Sequence, residues 1–149
     1  MEKVALKDSS YILQKADILQ MKKLTAQEMF FEIALKDGSP LDHEPGQFIM
    51  VSLLGIGEVP ISVCSSPARR NSFDLCVRAV GKVTRSLHKL KTGDEIDIRG
   101  PYGKGFPTGI LAGNDMLIIA GGLGIAPLRS WKNDLTESPV AVNFEPHAG

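Results

Sequence analysis

The sequence is poor in the residues that several function classes require. Its 149 residues include only two cysteines, Cys64 and Cys76. Two thiolates cannot by themselves hold an iron–sulfur cluster or a structural zinc, so no metal site is expected. Both are read as reduced, partly buried thiols. Aromatic residues make up 6% of the chain, and 17 basic side chains balance 17 acidic ones. Nucleic-acid binding draws on basic surface and stacking aromatics, so an oligonucleotide-binding barrel is disfavoured. No apolar run approaches the roughly 20 residues that span a bilayer. The opening Met1-Glu2-Lys3-Val4-Ala5-Leu6-Lys7-Asp8 is too charged for a secretory signal. The expectation is a cytoplasmic protein without membrane insertion. His43, His88 and His147 are isolated and are read as surface residues rather than catalysts.

What is present suits a globular chain: 43% hydrophobic and 23% charged residues, at a length that can bury a core. The first hundred residues are read as short strands separated by turn residues. Strands are expected over Tyr11–Leu19, Met29–Lys36, Phe48–Leu53, Val59–Ser65, Ser72–Val80 and Glu95–Arg99. Phe31, Ile33 and Leu35 alternate to one face; so do Phe73, Leu75, Val77 and Ala79, and Ile96 and Ile98. This pattern predicts an antiparallel barrel or sandwich. One short helix interrupts it, with Thr84 as expected N-cap and Gly93 as stop.

The pattern changes near residue 114. Met116-Leu117-Ile118-Ile119-Ala120 has the continuous apolar character of a strand buried on both faces. A glycine turn follows at Gly121, Gly122 and Gly124. A helix then opens with Leu128, Trp131 and Leu135 at helical spacing, and Pro139–Phe144 could form a second strand. The boundary between the two patterns is expected between Phe106 and Asn114.

Three segments carry chemical information, and each admits a plain alternative. Glu58–Pro67 holds Pro60-Ile61-Ser62, a strand whose backbone and hydroxyl could edge a flat ring, or simply core. Gly81-Lys82-Val83-Thr84 opens the helix, where free amides favour phosphate, or where threonine merely caps. The glycine turn follows a strand and opens a helix, as a dinucleotide site does. It lacks the full G-x-G-x-x-G spacing and could be an ordinary tight turn.

Taken in order, these strings resemble the ferredoxin–NADP reductase superfamily. The matching segments are Pro45-Gly46-Gln47-Phe48, Gly57–Ser62, Val80–Thr84, Gly93-Asp94, Arg99–Gly103 and Ala120–Leu128. The resemblance is strongest to gamma subunits of hydrogenases and sulfur reductases, to the corresponding subunit of anaerobic sulfite reductase and to the electron-transfer subunit of dihydroorotate dehydrogenase. It implies a mainly β fold: a Greek-key FAD-binding barrel over residues 1–110, then an incomplete, Rossmann-like NAD(P)-binding domain over 111–149. It implies an FAD-dependent oxidoreductase that passes electrons between NAD(P)H and an iron–sulfur partner in a larger hydrogenase or reductase complex. The family's flavin motif reads Arg-x-Tyr-Ser-x-x-Ser. Ser62 falls on the first serine, beside flavin N5, and Ser65 on the second. Ile61 stands where tyrosine packs on the ring, and Val59 where arginine meets the pyrophosphate. Cys76, Val77 and Arg78 match the strand beside the ribityl and phosphate groups, and Arg78 is the candidate replacement cation. Gly81, Val83 and Thr84 match the pyrophosphate-binding helix start; Gly121, Gly122 and Gly124 match the nucleotide domain's first turn. Because the later strands of that domain do not follow, weak or absent NAD(P)H binding is expected of this chain. The alternative is a non-catalytic flavin-binding or interaction remnant.

Overall fold

A computed structural model describes residues 11–111 and 118–132. Six strands form, β1 (Gln14–Lys23), β2 (Glu28–Leu35), β3 (Phe48–Leu53), β4 (Gly57–Ser62), β5 (Phe73–Arg78) and β6 (Glu95–Tyr102). Helix α1 (Lys82–Leu87) lies between β5 and β6; α2 (Thr108–Leu111) and α3 (Ile125–Lys132) follow the barrel. The sheet order is β4-β3-β6-β1-β2-β5, and every pairing is antiparallel. The end strands meet at a bridge between Val63 and Leu75. There the Cys64 amide donates to the Asp74 carbonyl at 2.9 Å. The sheet is thus a barrel of mainly β character, with the crossing connections of a Greek key.

Period-two alternation fills its interior. Phe31, Ile33, Ile49, Val51, Leu75, Val77, Ile96 and Ile98 are all at most 3% exposed. The faces expected of β2, β5 and β6 are the ones buried, except that Ala79 lies beyond the end of β5 and is half-buried. The first strand lies further along than expected. Tyr11 and Leu13 are exposed, and the alternation that enters the core begins at Ala16 and Ile18. β6 runs past Arg99 to Tyr102, because Tyr102 pairs with Phe48.

The helix start is also corrected. Gly81 is the N-cap of α1, and Thr84 stands within the first turn. Its hydroxyl accepts the Val80 and Gly81 amides at 3.0 and 2.9 Å, so it satisfies the backbone from inside the helix. A second correction concerns residues 118–120, which hold no regular structure; Ile119 is 83% exposed. A strand buried on both faces needs sheet neighbours, and none of the described residues pairs with this segment. Met116, Leu117, Leu135 and the expected strand Pro139–Phe144 lie outside the described residues. The helix after the glycine turn does form, but it buries Ala126, Ser130 and Trp131 more deeply than Leu128. Among the described residues, no helix is long and apolar enough to cross a membrane.

An ion pair spans the sheet from β6 to β4. Arg99 on β6 grips Glu58 on β4 with two hydrogen bonds, 2.6 and 2.5 Å, reaching across β3. The guanidinium holds the Glu58 carboxyl below the usual carboxylate range. Stabilisation from a depressed carboxyl is present above its unfolded value and lost as pH falls through the folded one. Glu58→Gln should therefore lower the melting temperature by a few degrees at neutral pH, equivalent to about 0.5–1 kcal/mol for a partly exposed pair. Thermal melts across pH should show that gap closing as pH falls below the ordinary glutamate range; a gap of constant size would assign the loss to packing instead.

Candidate functional site

The site is set by how the barrel closes. β4 and β5 are the two ends of the sheet, and among the described residues they share the single Val63–Leu75 bridge. Continued outward, that register brings Ser62 alongside Cys76, with residues 59–61 toward Arg78 and no ladder between them. The first turn of α1 stands at the open end: Val83 Cγ2 lies 3.2 Å from where a Cβ on Gly57 would be. His88 ties the helix to β5, its Nε2 lying 2.8 Å from the Val77 carbonyl. A ring nitrogen facing a carbonyl must carry the proton, so Nε2 donates. His88 is thus a half-buried structural link, not the surface residue expected, and His43 is buried as well. His147 lies outside the described residues.

The site residues divide by face. Val59 and Ile61 pack against the core, whereas exposed Pro60 and half-buried Ser62 take the other face of β4. The Ser62 hydroxyl makes no hydrogen bond to any described residue, which leaves it available to a ring edge. Ser65 differs: it is 2% exposed, and its hydroxyl accepts the Asp74 amide at 3.0 Å. Its side chain is committed to barrel closure. Val77 is also core, with its carbonyl taken by His88. Cys76 is half-buried opposite Phe30. Burial raises its thiol pKa and pushes that of Cys64 up to about 12, so both stay protonated at neutral pH and neither is a nucleophile.

Arg78 ends β5 as a cation held by Glu28, its register partner, at 2.6 Å. Its Nη2 also lies 3.8 Å from where a Cβ on Gly122 would be. Gly122 has φ +54°, which disfavours larger residues. The glycine turn therefore stands beside the end of β5. Nothing lies within 4 Å of an added Cβ at Gly81, Gly121 or Gly124. An open ring surface, a free hydroxyl at its edge, a cation and uncrowded backbone at two turns fit a flavin dinucleotide. A separate groove of about 450 Å³, lined by Leu13, Gln14, Lys15, Lys36 and Asp37, lies on another part of the barrel. Its lysines are already paired with carboxylates.

Sequence reasoning missed Glu28, Asp74, Arg129 and Ser130. Arg129 Nη2 is 4.0 Å from Asp74, and the Ser130 hydroxyl donates to the Ser65 carbonyl at 2.6 Å. A carboxylate in the middle of the apolar run Phe73–Val77 was the available signal for Asp74; the others depend on contacts distant in sequence.

A six-stranded antiparallel barrel with a glycine turn and a helix packed beside its open seam is the architecture of a flavin-binding reductase domain. Residues 15–106 match the oxidoreductase FAD-binding domain family, and the chain belongs to it. It is 46% identical over 126 residues to the sulfhydrogenase 1 gamma subunit of Pyrococcus furiosus, covering 83% of this chain and 43% of that protein. It is 31% identical over 138 residues to a dihydroorotate dehydrogenase B (NAD(+)) electron transfer subunit of Bacillus cereus, covering 88% and 53%. The Amycolatopsis cytochrome P450 reductase GcoB superposes with a TM-score of 0.72 at 26% identity, over 82% of this chain and 39% of that one. Phthalate dioxygenase reductase superposes at 0.66 and 20% identity, over 84% and 40%, a likeness of fold alone. The chain spans about two fifths to one half of the length of these two curated relatives.

The two serines should respond differently to substitution. Ser65→Ala strands the buried Asp74 amide and should cost about 1–3 kcal/mol in chemical denaturation. Ser62→Ala should leave stability within about 0.5 kcal/mol. Equal losses would mean that Ser62 also closes the barrel.

Proposed function

We propose that this chain is the FAD-bearing part of an electron-transfer subunit, passing electrons between NAD(P)H and an iron–sulfur subunit of a larger complex. In this reading residues 1–110 bind FAD and residues 111–149 open a nicotinamide-nucleotide domain. The observation that carries it is the meeting of the glycine turn with Arg78 at the end of β5. The names of the relatives, a sulfhydrogenase gamma subunit and electron transfer subunits, point to the same role.

FAD, when bound, supplies the exchange of electron pairs and single electrons that no side chain here can perform. The chain's residues bind and orient it. Ser62 offers a hydroxyl at the ring edge, where it would stabilise protonation at N5. Pro60 and Cys76 offer uncharged surface beside it, and Val59, Ile61 and Val77 hold those strands to the core. Ser65 acts one step back, by fixing the closure three residues from Ser62. Arg78, with the first-turn amides of Val83 and Thr84, would meet the pyrophosphate in place of the arginine that Val59 replaces, and the uncrowded backbone at Gly81 would let it approach. The Gly121, Gly122 and Gly124 turn would take the nicotinamide nucleotide's phosphates.

Two outcomes are expected of the reconstituted protein. Heat-released cofactor should chromatograph as FAD; FMN alone would remove the pyrophosphate role from Arg78 and α1. Ser62→Ala should shift the flavin spectrum or reduction potential, by the equivalent of about 0.5–1.5 kcal/mol for one hydrogen bond. An unchanged spectrum and potential would place Ser62 off the ring. Anaerobic mixing with NADH or NADPH then separates the two functional readings. Saturable bleaching supports electron transfer, and a flavin left oxidised by both supports a binding module.

A further inference from the structure

Helix α3 meets the barrel through a compact polar set. Ser130 is fully buried, and its hydroxyl donates to the Ser65 carbonyl at 2.6 Å. That carbonyl also receives His43 Nε2 at 3.1 Å. Asp74 is 3% exposed; one carboxylate oxygen accepts Arg69 Nη1 at 2.8 Å, and the other faces Arg129 Nη2 at 4.0 Å. The Arg129 guanidinium lies 5.9 Å above the Phe30 ring. Ser65 and Asp74 are joined in turn by the Ser65 hydroxyl and the Asp74 amide. One patch of the barrel therefore presents both a backbone carbonyl and a side-chain carboxylate to two adjacent residues of α3.

We propose that Ser65 and Asp74 form a socket for Arg129 and Ser130, and that this docking positions the glycine turn beside Arg78. Arg129 and Ser130 are then positioning residues for the nicotinamide nucleotide, an assignment that rests on the function proposed above. The geometry is that of a lever. Gly122 lies eight residues before Ser130, and α3 is one rigid helix of about 12 Å. Fixing its far end fixes the turn at its start. Hydride transfer tolerates little displacement, since reacting atoms must approach to about 3–3.5 Å. The socket is also polar and buried, which favours one orientation: a helix slipped by one residue would leave the Asp74 carboxylate and the Ser130 hydroxyl without these partners.

Trp131, the only tryptophan, follows Ser130 directly and is 4% exposed. It packs on Phe106 with ring centroids 6.3 Å apart, so its emission reports docking of α3. Acrylamide quenching of the full chain should be weak in the wild type and several-fold stronger in the double variant Arg129→Gln, Ser130→Ala. Arg129→Lys should retain most of the protection. The barrel's melting temperature, followed by far-ultraviolet circular dichroism, should stay within a few degrees in Ser130→Ala alone. Trp131 protected equally in wild type and double variant, or exposed already in wild type, overturns the socket. NADH titration, read by energy transfer from Trp131, should weaken roughly tenfold in the double variant. Full NADH affinity with an undocked Trp131 would show that the socket does not position the turn. No NADH binding by wild type, with Trp131 protection dependent on the socket, would instead overturn the nucleotide assignment and leave the docking intact.

Discussion

Everything at the site depends on how the barrel shuts. One bridge, Val63–Leu75, together with the bonds that Asp74 makes to Cys64 and Ser65, joins the two ends of a six-stranded sheet. On one side of that point the strands are held together; on the other they part and leave a surface. Complete pairing would have used up the free edge of β4, and no pairing would have let the core open. The position of the bridge decides where Ser62, Cys76 and Arg78 stand relative to one another. Ser65, three residues beyond Ser62, is the pin.

The chain's own chemistry is correspondingly quiet. Its two thiols are held protonated by burial. His43 and His88 face backbone carbonyls, and Asp74 lies between arginines. None of these is arranged to attack a substrate or relay a proton. A protein whose ionisable groups are spent on structure must borrow its reactivity, which agrees with membership in a family of FAD-binding domains.

Much of this is legible in the sequence. Alternation identifies the interior of β2, β5 and β6, because period-two burial is written directly into the residue order. The three chemical segments stand out in order, since glycine, proline and serine mark places where backbone must be accessible. Strand ends are less legible. Sequence pattern starts β1 too early because Tyr11, Ile12 and Leu13 are apolar yet exposed, and composition cannot distinguish that from a core strand. It misplaces Thr84 in the helix because a hydroxyl can serve the same amides from the first turn. It does not announce that the Ser65 hydroxyl accepts an amide nine positions away. Apolar residues at 118–120 suggest a sandwiched strand, a state that depends on neighbours rather than on the segment itself. The barrel's grip on α3 needs three-dimensional information, because Ser130 and Ser65 are 65 positions apart.

The parted strands also bear on solubility. An open barrel seam offers two unpaired edges, the usual template for joining one molecule to the next. On β4 that edge carries Pro60, which has no amide to give to an incoming strand. On β5 it ends in the charged Arg78–Glu28 pair. The same residues that border the open seam make the gap a poor docking strip for a neighbouring chain. A newly made barrel can therefore remain dispersed, with its gap exposed, until the ligand arrives.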